Sequence, residues 1–342
     1  MLRTPLLRTL TIVVVGLLLL ALLLFGGQRK RLFRESRTSL YTLVTITVVT
    51  RSETKAREAI DAAYRELERV GELLNFYAPD SELSRINRNA GVAPVKVSTE
   101  TLEVIRMAVH AAEATKGGFD VTVGPLVRLW DFKEKKIPSR AAIDRARDLV
   151  GYRHIVVDPG ASTVYLDKHG VQIDLGGIIK GYAADRAATV LREYGIDDGI
   201  IAVAGDIRLF GRQPDGRPWN IGIQHPRAAD GDTTLLATVH LDDGAISTSG
   251  DYQRYFFADG VRYHHLLNPA TGYPQDLCRS VTVIAPSAAA TDAFATGIFI
   301  LGPDKGIAAL ERLGMDGVIV ARDGAVLMTR GIKDKVKLLD TP

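Results

Sequence analysis

Hydrophobic residues follow three different patterns along the first seventy-five residues of the chain. Thr9–Gln28 is an apolar run without a single charged residue. Leu40–Thr50 is rich in β-branched residues, which favours a strand. From Ser52 to about Leu74 the apolar residues recur at helical spacing, and Ser52 is a suitable N-cap. The pattern therefore predicts an apolar N-terminal segment, followed by a folded region that begins with a strand and a helix.

The rest of the chain alternates between helical periodicity and short apolar segments joined by turn residues. Five more helices are predicted: about 99–115, 140–150, 178–194, 289–301 and 304–313. Four dipeptides sit between apolar segments and are typical of tight hairpins: Pro159-Gly160, Asp243-Gly244, Asp259-Gly260 and Asp323-Gly324. Hairpins imply antiparallel pairing, so the fold class is α+β, with mixed, largely antiparallel sheets and packed helices.

The apolar run is long enough to cross a membrane, since about twenty helical residues span roughly 30 Å. We expect an uncleaved, single-pass transmembrane helix. The alternative, a cleaved signal peptide, lacks an A-x-A-like site, and a lipoprotein signal would need a cysteine after the run. The predicted organisation is therefore a membrane anchor with a basic flank at residues 1–38 and a folded domain at residues 39–335.

Composition and charge narrow the class of protein. With 46% hydrophobic and 24% charged residues the chain is an ordinary globular protein. Cys278 is the only cysteine, which excludes an intramolecular disulfide and a cysteine-based zinc site. Residues 1–37 carry a net charge of +6, so the remainder carries −3 although the whole chain is +3. A nucleic-acid partner is not expected, because the basic residues lie outside the predicted domain.

Two glycine-rich segments could hold a phosphate-bearing ligand. Residues 117–125 place Asp120 and Thr122 on alternate positions; a plain loop before a Pro turn is the alternative. Residues 173–182 run from a short strand through Gly176-Gly177 into a helix, and free N–H groups at a helix start favour bound phosphate. Lys180 follows one turn later and could contact that phosphate. The alternative there is a tight turn with Lys180 in solvent.

Two further segments offer a base and a metal ligand. His264 and His265 are adjacent on a predicted strand, so at most one of them faces a common site; a hydrogen-bonded polar pair beside a turn is the alternative. Asp292 and Thr296 are four apart on a predicted helix and could share a magnesium ion. The alternative is an acidic first turn. Asp292 is expected on the helix surface, where its replacement by alanine leaves folding intact.

Taken in order, these segments resemble the ApbE family of FAD:protein FMN transferases over about residues 40–330. The motifs that carry the resemblance are Tyr77–Asn87, Phe119–Leu126, Asp174–Asp185, Gly205–Ile207, Ser247–Tyr255, His265–Gly272 and Ser280–Thr296. Two positions depart from the family pattern. Its usual Met-Gly-Thr is Leu40-Tyr41-Thr42 here, and its usual Gly-Gly-Asp is Ala204-Gly205-Asp206.

The resemblance implies a reaction and a set of site residues. Such enzymes use Mg²⁺ to cleave the diphosphate of FAD, move FMN onto a Thr or Ser hydroxyl of a target protein and release AMP. Asp292, Thr296 and the backbone carbonyl of Gly177 would hold the metal. The residues that would line the FAD site are Tyr77, Gly118, Phe119, Asp120, Asp174, Lys180 and His265. The catalytic residues would be Asp292 and His265, the latter as the base that takes the proton of the hydroxyl.

The resemblance also implies a location and a partner. Family targets are mostly exported or membrane-bound subunits of electron-transfer complexes, so we expect the chain in the inner membrane with its catalytic domain in the periplasm. The positive-inside rule alone would favour the opposite orientation, because more basic residues follow the apolar run than precede it. A Mg²⁺-dependent FAD pyrophosphatase and a non-enzymatic FAD-binding protein remain as alternative functions.

Overall fold

A computed structural model describes residues 29–228, 232 and 234–339 of the chain. The strands are β1 (Arg31–Ser39), β2 (Thr42–Thr50), β3 (Val95–Lys96), β4 (Ile155–Asp158), β5 (Thr163–Leu166), β6 (Gly199–Val203), β7 (Asp206–Phe210), β8 (Trp219–Gln224), β9 (Leu235–Leu241), β10 (Gly244–Gly250), β11 (Tyr255–Ala258), β12 (Val261–His264), β13 (Cys278–Ala285), β14 (Asp316–Ala321), β15 (Val326–Met328) and β16 (Val336–Leu338). The α-helices are α1 (Glu53–Leu73), α2 (Glu82–Arg88), α3 (Thr99–Ala114), α4 (Gly124–Val127), α5 (Arg140–Arg147), α6 (Ile179–Glu193), α7 (Ala288–Leu301) and α8 (Pro303–Leu313).

One eight-stranded sheet forms the centre of the described structure, in the order β1-β2-β6-β7-β10-β13-β14-β15. Smaller sheets have the orders β16-β9-β8 and β3-β5-β4, and β11 and β12 form a separate hairpin. The pairs of named strands are antiparallel. The predicted α+β class with largely antiparallel sheets is thus confirmed.

Both faces of the central sheet are buried. Val44 and Ile46 of β2 point toward the helices, where Leu67 of α1 and Ala184 of α6 belong to the same apolar core. On the other face, a second core joins the sheet to β8, β9 and β16 through residues such as Trp219. Alternation along the inner strands divides their side chains between the two cores, whereas most of the edge strand β1 stays exposed or half-exposed. The helices that carry the predicted site residues therefore lie on one face only.

Local sequence signals place several helix starts and turns correctly. Ser52 and Ser98 cap α1 and α3, because their side-chain oxygens accept hydrogen bonds from the backbone N–H groups of Lys55 and Thr101. The hairpins predicted at Pro159-Gly160, Asp259-Gly260 and Asp323-Gly324 are formed, by β4–β5, β11–β12 and β14–β15. Helix α5 ends at Arg147, three residues before the predicted end.

The hairpin predicted at Asp243-Gly244 is wrong. The strand before it, β9, pairs with β8 and β16, whereas the strand after it, β10, pairs with β7 and β13. The dipeptide therefore joins two different sheets. Arg208 fixes this crossing, since its guanidinium donates to Asp243 and to the backbone carbonyl of Gly244, each at 2.6 Å.

The N-terminal boundary of the folded domain lies earlier than predicted. β1 spans Arg31–Ser39 and pairs with β2 along its whole length, so a boundary between residues 38 and 39 would cut through a hairpin. The basic flank is thus part of the sheet from Arg31 onward. The predicted transmembrane helix, Thr9–Gln28, lies outside the described residues. Within the described residues, no helix combines the length and the hydropathy needed to cross a membrane.

Candidate active site

The candidate site is built where the first turn of α6 meets the first turns of α7. A methyl group on Gly181 would overlap the carbonyl oxygen of Ala288, so glycine is what allows the two helices to approach this closely. The backbone N–H of Gly181 donates to a carboxylate oxygen of Asp292 at 3.1 Å. Gly181 lies in the first turn of α6, where backbone N–H groups have no acceptor within the helix, so its N–H is free to bind Asp292. The contact brings the predicted Gly177–Lys180 segment and the predicted Asp292 together.

Lys180 lies between two buried carboxylates at this junction. Its ammonium contacts Asp206, the first residue of β7, and lies 3.4 Å from Asp292. Burial raises the pKa of Asp292 to about 7, as does the charge of Asp206, while Lys180 opposes both effects. Burial also disfavours the charged form of Lys180, but the two carboxylates outweigh it and raise its pKa. Lys180 therefore stays protonated and compensates the buried acidic pair.

Asp292 is buried, contrary to the expectation of a surface position. Only 4% of the residue is exposed. Alanine at this position would leave the N–H of Gly181 without its acceptor, and a buried unsatisfied donor costs about 1–3 kcal/mol. A variant that tests chemistry must therefore keep an acceptor, and asparagine does.

Hydroxyl groups complete this side of the site. Thr296 lies one turn after Asp292 on α7, and its hydroxyl is 3.1 Å from that of Ser249 on β10. A methyl group on Gly177 would lie 3.7 Å from the Thr296 hydroxyl, so the three residues predicted to hold a metal are neighbours. No cluster of three or more His, Cys, Asp or Glu suited to a metal occurs in the part of the chain that the structure describes. The predicted donor set is instead one carboxylate, one hydroxyl and one carbonyl.

Asp174 and Tyr77 form a second part of the site. A carboxylate oxygen of Asp174 accepts from the N–H of Gly176 at 2.8 Å, and burial raises the Asp174 pKa against this bond and the charges of Arg254 and Arg128. Tyr77 is 71% exposed, and its ring contacts that of Phe76 edge-on, with the ring centres 5.1 Å apart. Partial burial and the charge of Asp174 raise the Tyr77 pKa.

The two histidines occupy different environments. The Nε2 of His264 lies 2.8 Å from the carbonyl oxygen of Gln275, and its ring packs edge-on against Phe299. His265 instead lies beside Arg254, whose carbonyl accepts from its backbone N–H at 3.1 Å. The Nδ1 of His265 is buried and has no hydrogen-bond partner among the described residues. Burial, followed by the charge of Arg254, lowers the His265 pKa to about 3, so its imidazole is neutral at pH 7.

The Gly118–Asp120 stretch packs against Gly177 and helix α7 of the site. A methyl group on Gly118 would lie 2.8 Å from the carbonyl oxygen of Gly297, and the buried ring of Phe119 packs against Gly177. The Asp120 carboxylate accepts three hydrogen bonds, from the N–H and hydroxyl of Thr122 and from the N–H of Tyr152, at 2.6–2.8 Å. The loop is thereby fixed against α7, and both carboxylate oxygens of Asp120 are engaged within the protein.

Four residues that sequence reasoning did not assign to the site lie in it or beside it: Asp206, Ser249, Arg254 and Asp185. All four fall in the quoted motifs Asp174–Asp185, Gly205–Ile207 and Ser247–Tyr255, which was the available signal. Asp185 lies on α6 and binds the start of α7: its carboxylate accepts from the Ser287 hydroxyl at 2.8 Å and from the N–H groups of Ala288 and Ala289 at 3.0 Å.

A separate apolar groove of about 660 Å³ lies between α3 and α7. Its lining includes Leu102, Met107, Ile178 and Phe294, and none of the predicted site residues. The groove lacks the buried charges found at the α6–α7 junction. The junction, where carboxylates, an ammonium and hydroxyls converge, is therefore the candidate site.

Comparison with known proteins assigns the chain to a family. The sequence profile of the ApbE family matches residues 40–319. The chain belongs to the ApbE family. Its relatives include a protein named FAD:protein FMN transferase from Vibrio cholerae, 34% identical over 252 residues, which covers 72% of this chain and 74% of the relative. The protein of that name from Escherichia coli K12 is 33% identical over 277 residues, covering 79% of this chain and 78% of that one.

Solved structures of the family share the fold. The ApbE protein of Thermotoga maritima superposes with a TM-score of 0.82 at 35% identity and covers 89% of this chain and 99% of its own. The flavin transferase ApbE from Vibrio cholerae gives a TM-score of 0.79 at 32% identity, with coverages of 90% and 99%. Membership of the ApbE family, together with these relatives, identifies the chain as an enzyme of the transferase class.

Proposed function

We propose that this ApbE-family chain transfers FMN from FAD to a Thr or Ser hydroxyl of an acceptor protein, in a reaction that requires Mg²⁺ and releases AMP. The observation that carries the proposal is the Lys180–Asp206–Asp292 cluster beside the Thr296 hydroxyl. A buried acidic pair with one ammonium between its members suits a site that binds a cation together with a phosphate-rich substrate.

Mg²⁺ fits the residues that are present. It prefers hard oxygen ligands and binds through one or two carboxylates plus substrate phosphates. Asp292 supplies the carboxylate, Thr296 a hydroxyl and Gly177 a backbone carbonyl. Burial and the charge of Asp206 raise the pKa of Asp292 against the effect of Lys180, so a bound cation would favour the ionised carboxylate. When bound, the metal would neutralise charge on the diphosphate.

The remaining residues account for positioning and proton transfer. Tyr77 offers an exposed aromatic face for the flavin, and Asp174 a carboxylate beside it. His265 is neutral and can accept the proton of the acceptor hydroxyl as its oxygen attacks phosphorus. The attack forms a phosphorus–oxygen bond to the acceptor and breaks the diphosphate bond, so that FMN stays on the acceptor and AMP leaves. Gly118, Phe119 and Asp120 hold the loop against which Gly177 packs.

The test is a transfer assay on the full chain. FAD, MgCl₂ and a candidate acceptor subunit are incubated with the chain. Mass spectrometry then shows whether the acceptor has gained the mass of covalent FMN. We expect labelling that requires metal, and its loss in Asp292→Asn. Asp304→Asn, an exposed aspartate on α8, is the matched control and should retain activity. Free FMN and AMP without a labelled acceptor would instead identify a pyrophosphatase. Metal-independent FAD binding without turnover would identify a flavin-binding protein.

We further propose that residues 1–30 anchor the chain in the inner membrane with the catalytic domain in the periplasm, where exported or membrane-bound electron-transfer subunits serve as acceptors. The uncharged Thr9–Gln28 segment supports the anchor. Digestion of spheroplasts with an external protease is the test: a periplasmic domain is degraded, whereas a cytoplasmic domain survives until the cells are lysed.

A further inference from the structure

The Arg254 guanidinium is an exposed cation beside the candidate site that no side-chain hydrogen bond or ion pair occupies among the residues that the structure describes. We propose that Arg254 binds the diphosphate of FAD. The proposal rests on the proposed function and adds the residue that holds the anionic part of the substrate.

The hairpin that carries Arg254 directs it toward the site. β11 pairs with β12 so that Tyr255 lies opposite His264. The pairing continues by one position, since the backbone N–H of His265 donates to the carbonyl of Arg254. Residues directly opposite each other in an antiparallel pair share a face. Arg254 and His265 therefore project to the same side, and Tyr255 and His264 project to the other.

The charge of Arg254 reaches three of the predicted FAD-site residues. The charge of Arg254 contributes to the lowered pKa of His265. It also opposes the effect of burial, which raises the pKa of Tyr77 and of Asp174. The geometry places Arg254 on the same side of the hairpin as His265, one of these three residues. Its position follows from the hairpin register, and these electrostatic effects agree with it.

Other cations near the site are already engaged. Lys180 contacts Asp206 and Asp292. Arg128 donates to Gln172 at 2.8 Å and lies over the ring of Phe76. An additional anion therefore needs a cation that has no partner of its own.

The arginines that flank Arg254 are engaged as well. Arg227 forms two hydrogen bonds to Asp251, at 2.6 and 2.7 Å. Arg262 stacks over the ring of Tyr255 at 4.0 Å. Among these cations only Arg254 is left to meet an anion. A guanidinium presents paired N–H donors that match the oxygens of a phosphate, so a diphosphate is the ligand it suits.

The experiment measures, on the full chain, how tightly each half of FAD binds on its own. Calorimetry measures the binding of ADP, which carries the diphosphate, and of riboflavin, which carries the ring without phosphate. Arg254→Ala should weaken ADP at least about tenfold and leave riboflavin unchanged, because a hydrogen bond to a charged group contributes about 1.5–3 kcal/mol. Arg254→Lys should recover part of the ADP affinity. Arg262→Ala, in the same hairpin, is the control and should bind both probes normally.

Three outcomes would overturn the assignment: unchanged ADP binding in Arg254→Ala, an equal loss for riboflavin, or a loss confined to the KM for the acceptor protein. The last would make Arg254 a contact for the acceptor. Failure of the proposed function is distinguishable. If the unmodified chain labels no acceptor while its ADP affinity still depends on Arg254, the transferase proposal fails and the phosphate assignment stands.

Discussion

His265 is a buried, neutral imidazole whose Nδ1 lacks a partner among the described residues, whereas His264 is hydrogen-bonded to its surroundings. His265→Gln should lower the transfer rate by about 10²-fold, the low end of the usual contribution of a general base because the lowered pKa makes the imidazole a weak base, while leaving FAD bound. Single-turnover rates and FAD affinity are the measurements. His264→Gln, the control, should keep the rate. A rate loss in the His264 variant alone would contradict the assignment.

The pH dependence of the reaction follows from the same environment. Because the pKa of His265 is lowered to about 3, the base is deprotonated throughout the range from pH 5 to 8. The factor lost in His265→Gln should therefore be the same at each pH in that range. The measurement is kcat/KM for FAD at several pH values in both proteins. A loss that shrinks as the pH falls from 7 to 5 would show that His265 titrates there.

Ala204 adopts a left-handed backbone conformation, with φ of +53°. A side chain in this region is strained by about 1–2 kcal/mol, and glycine avoids the strain at some entropic cost. Ala204→Gly should therefore raise the free energy of unfolding by about 0.5–1 kcal/mol. Denaturant unfolding measures the change. Ala202→Gly, two residues earlier in β6, should lower it by a similar amount. Equal effects of the two substitutions would contradict the argument.

Helices α6 and α7 carry Lys180 and Asp292 of the candidate site, and Asp185 joins the two helices. It lies on α6, yet it accepts hydrogen bonds from three groups at the start of α7. An anionic side chain there also interacts favourably with the helix dipole. Asp185 thus sets where Asp292 and Thr296 stand relative to Lys180, and we regard it as a positioning residue.

Asp185→Ala should destabilise the protein by about 2 kcal/mol, as for loss of an N-cap, and lower kcat more than tenfold in the molecules that remain folded. Asp185→Asn keeps one acceptor oxygen and should recover part of kcat. Thermal unfolding gives the first effect, and assays well below the melting temperature give the second. A variant that is destabilised but has normal kcat would limit Asp185 to a structural role.

The whole domain depends on the N-terminal hairpin. β1 covers the edge of β2, and Arg37 of β1 pairs with Asp61 and stacks over the ring of Tyr64, which is buried in α1. Residues 29–342 should therefore be soluble and active. The fragment 39–342, suggested by the sequence boundary, should melt at least about 5 °C lower, because it loses a complete edge strand and these contacts. Calorimetry of both fragments is the test. Equal melting temperatures would support the boundary between residues 38 and 39 that the sequence predicted.

Much of the fold and of the site could be predicted because the signals are local. Ser52 and Ser98 cap helices through bonds to groups three residues away, and Asp259-Gly260 closes a hairpin between adjacent strands. The family motifs also drew attention to Lys180, His265 and Asp292. The sequence by itself thus determined the α+β class, most helix bounds and the residue types available for chemistry. These features depend on neighbours along the chain.

The tertiary structure decided what is remote in sequence. Lys180 meets Asp206 and Asp292, which are 26 and 112 residues away, and no pattern near Lys180 indicates such partners. The same holds for Asp243-Gly244, whose flanking strands join different sheets because each finds its hydrogen-bonding edge elsewhere. Burial then sets the protonation of both side chains: it raises the pKa of Asp292 and keeps the imidazole of His265 neutral. Both properties arise from the packing around the side chain, which exists only once the helices and strands have assembled.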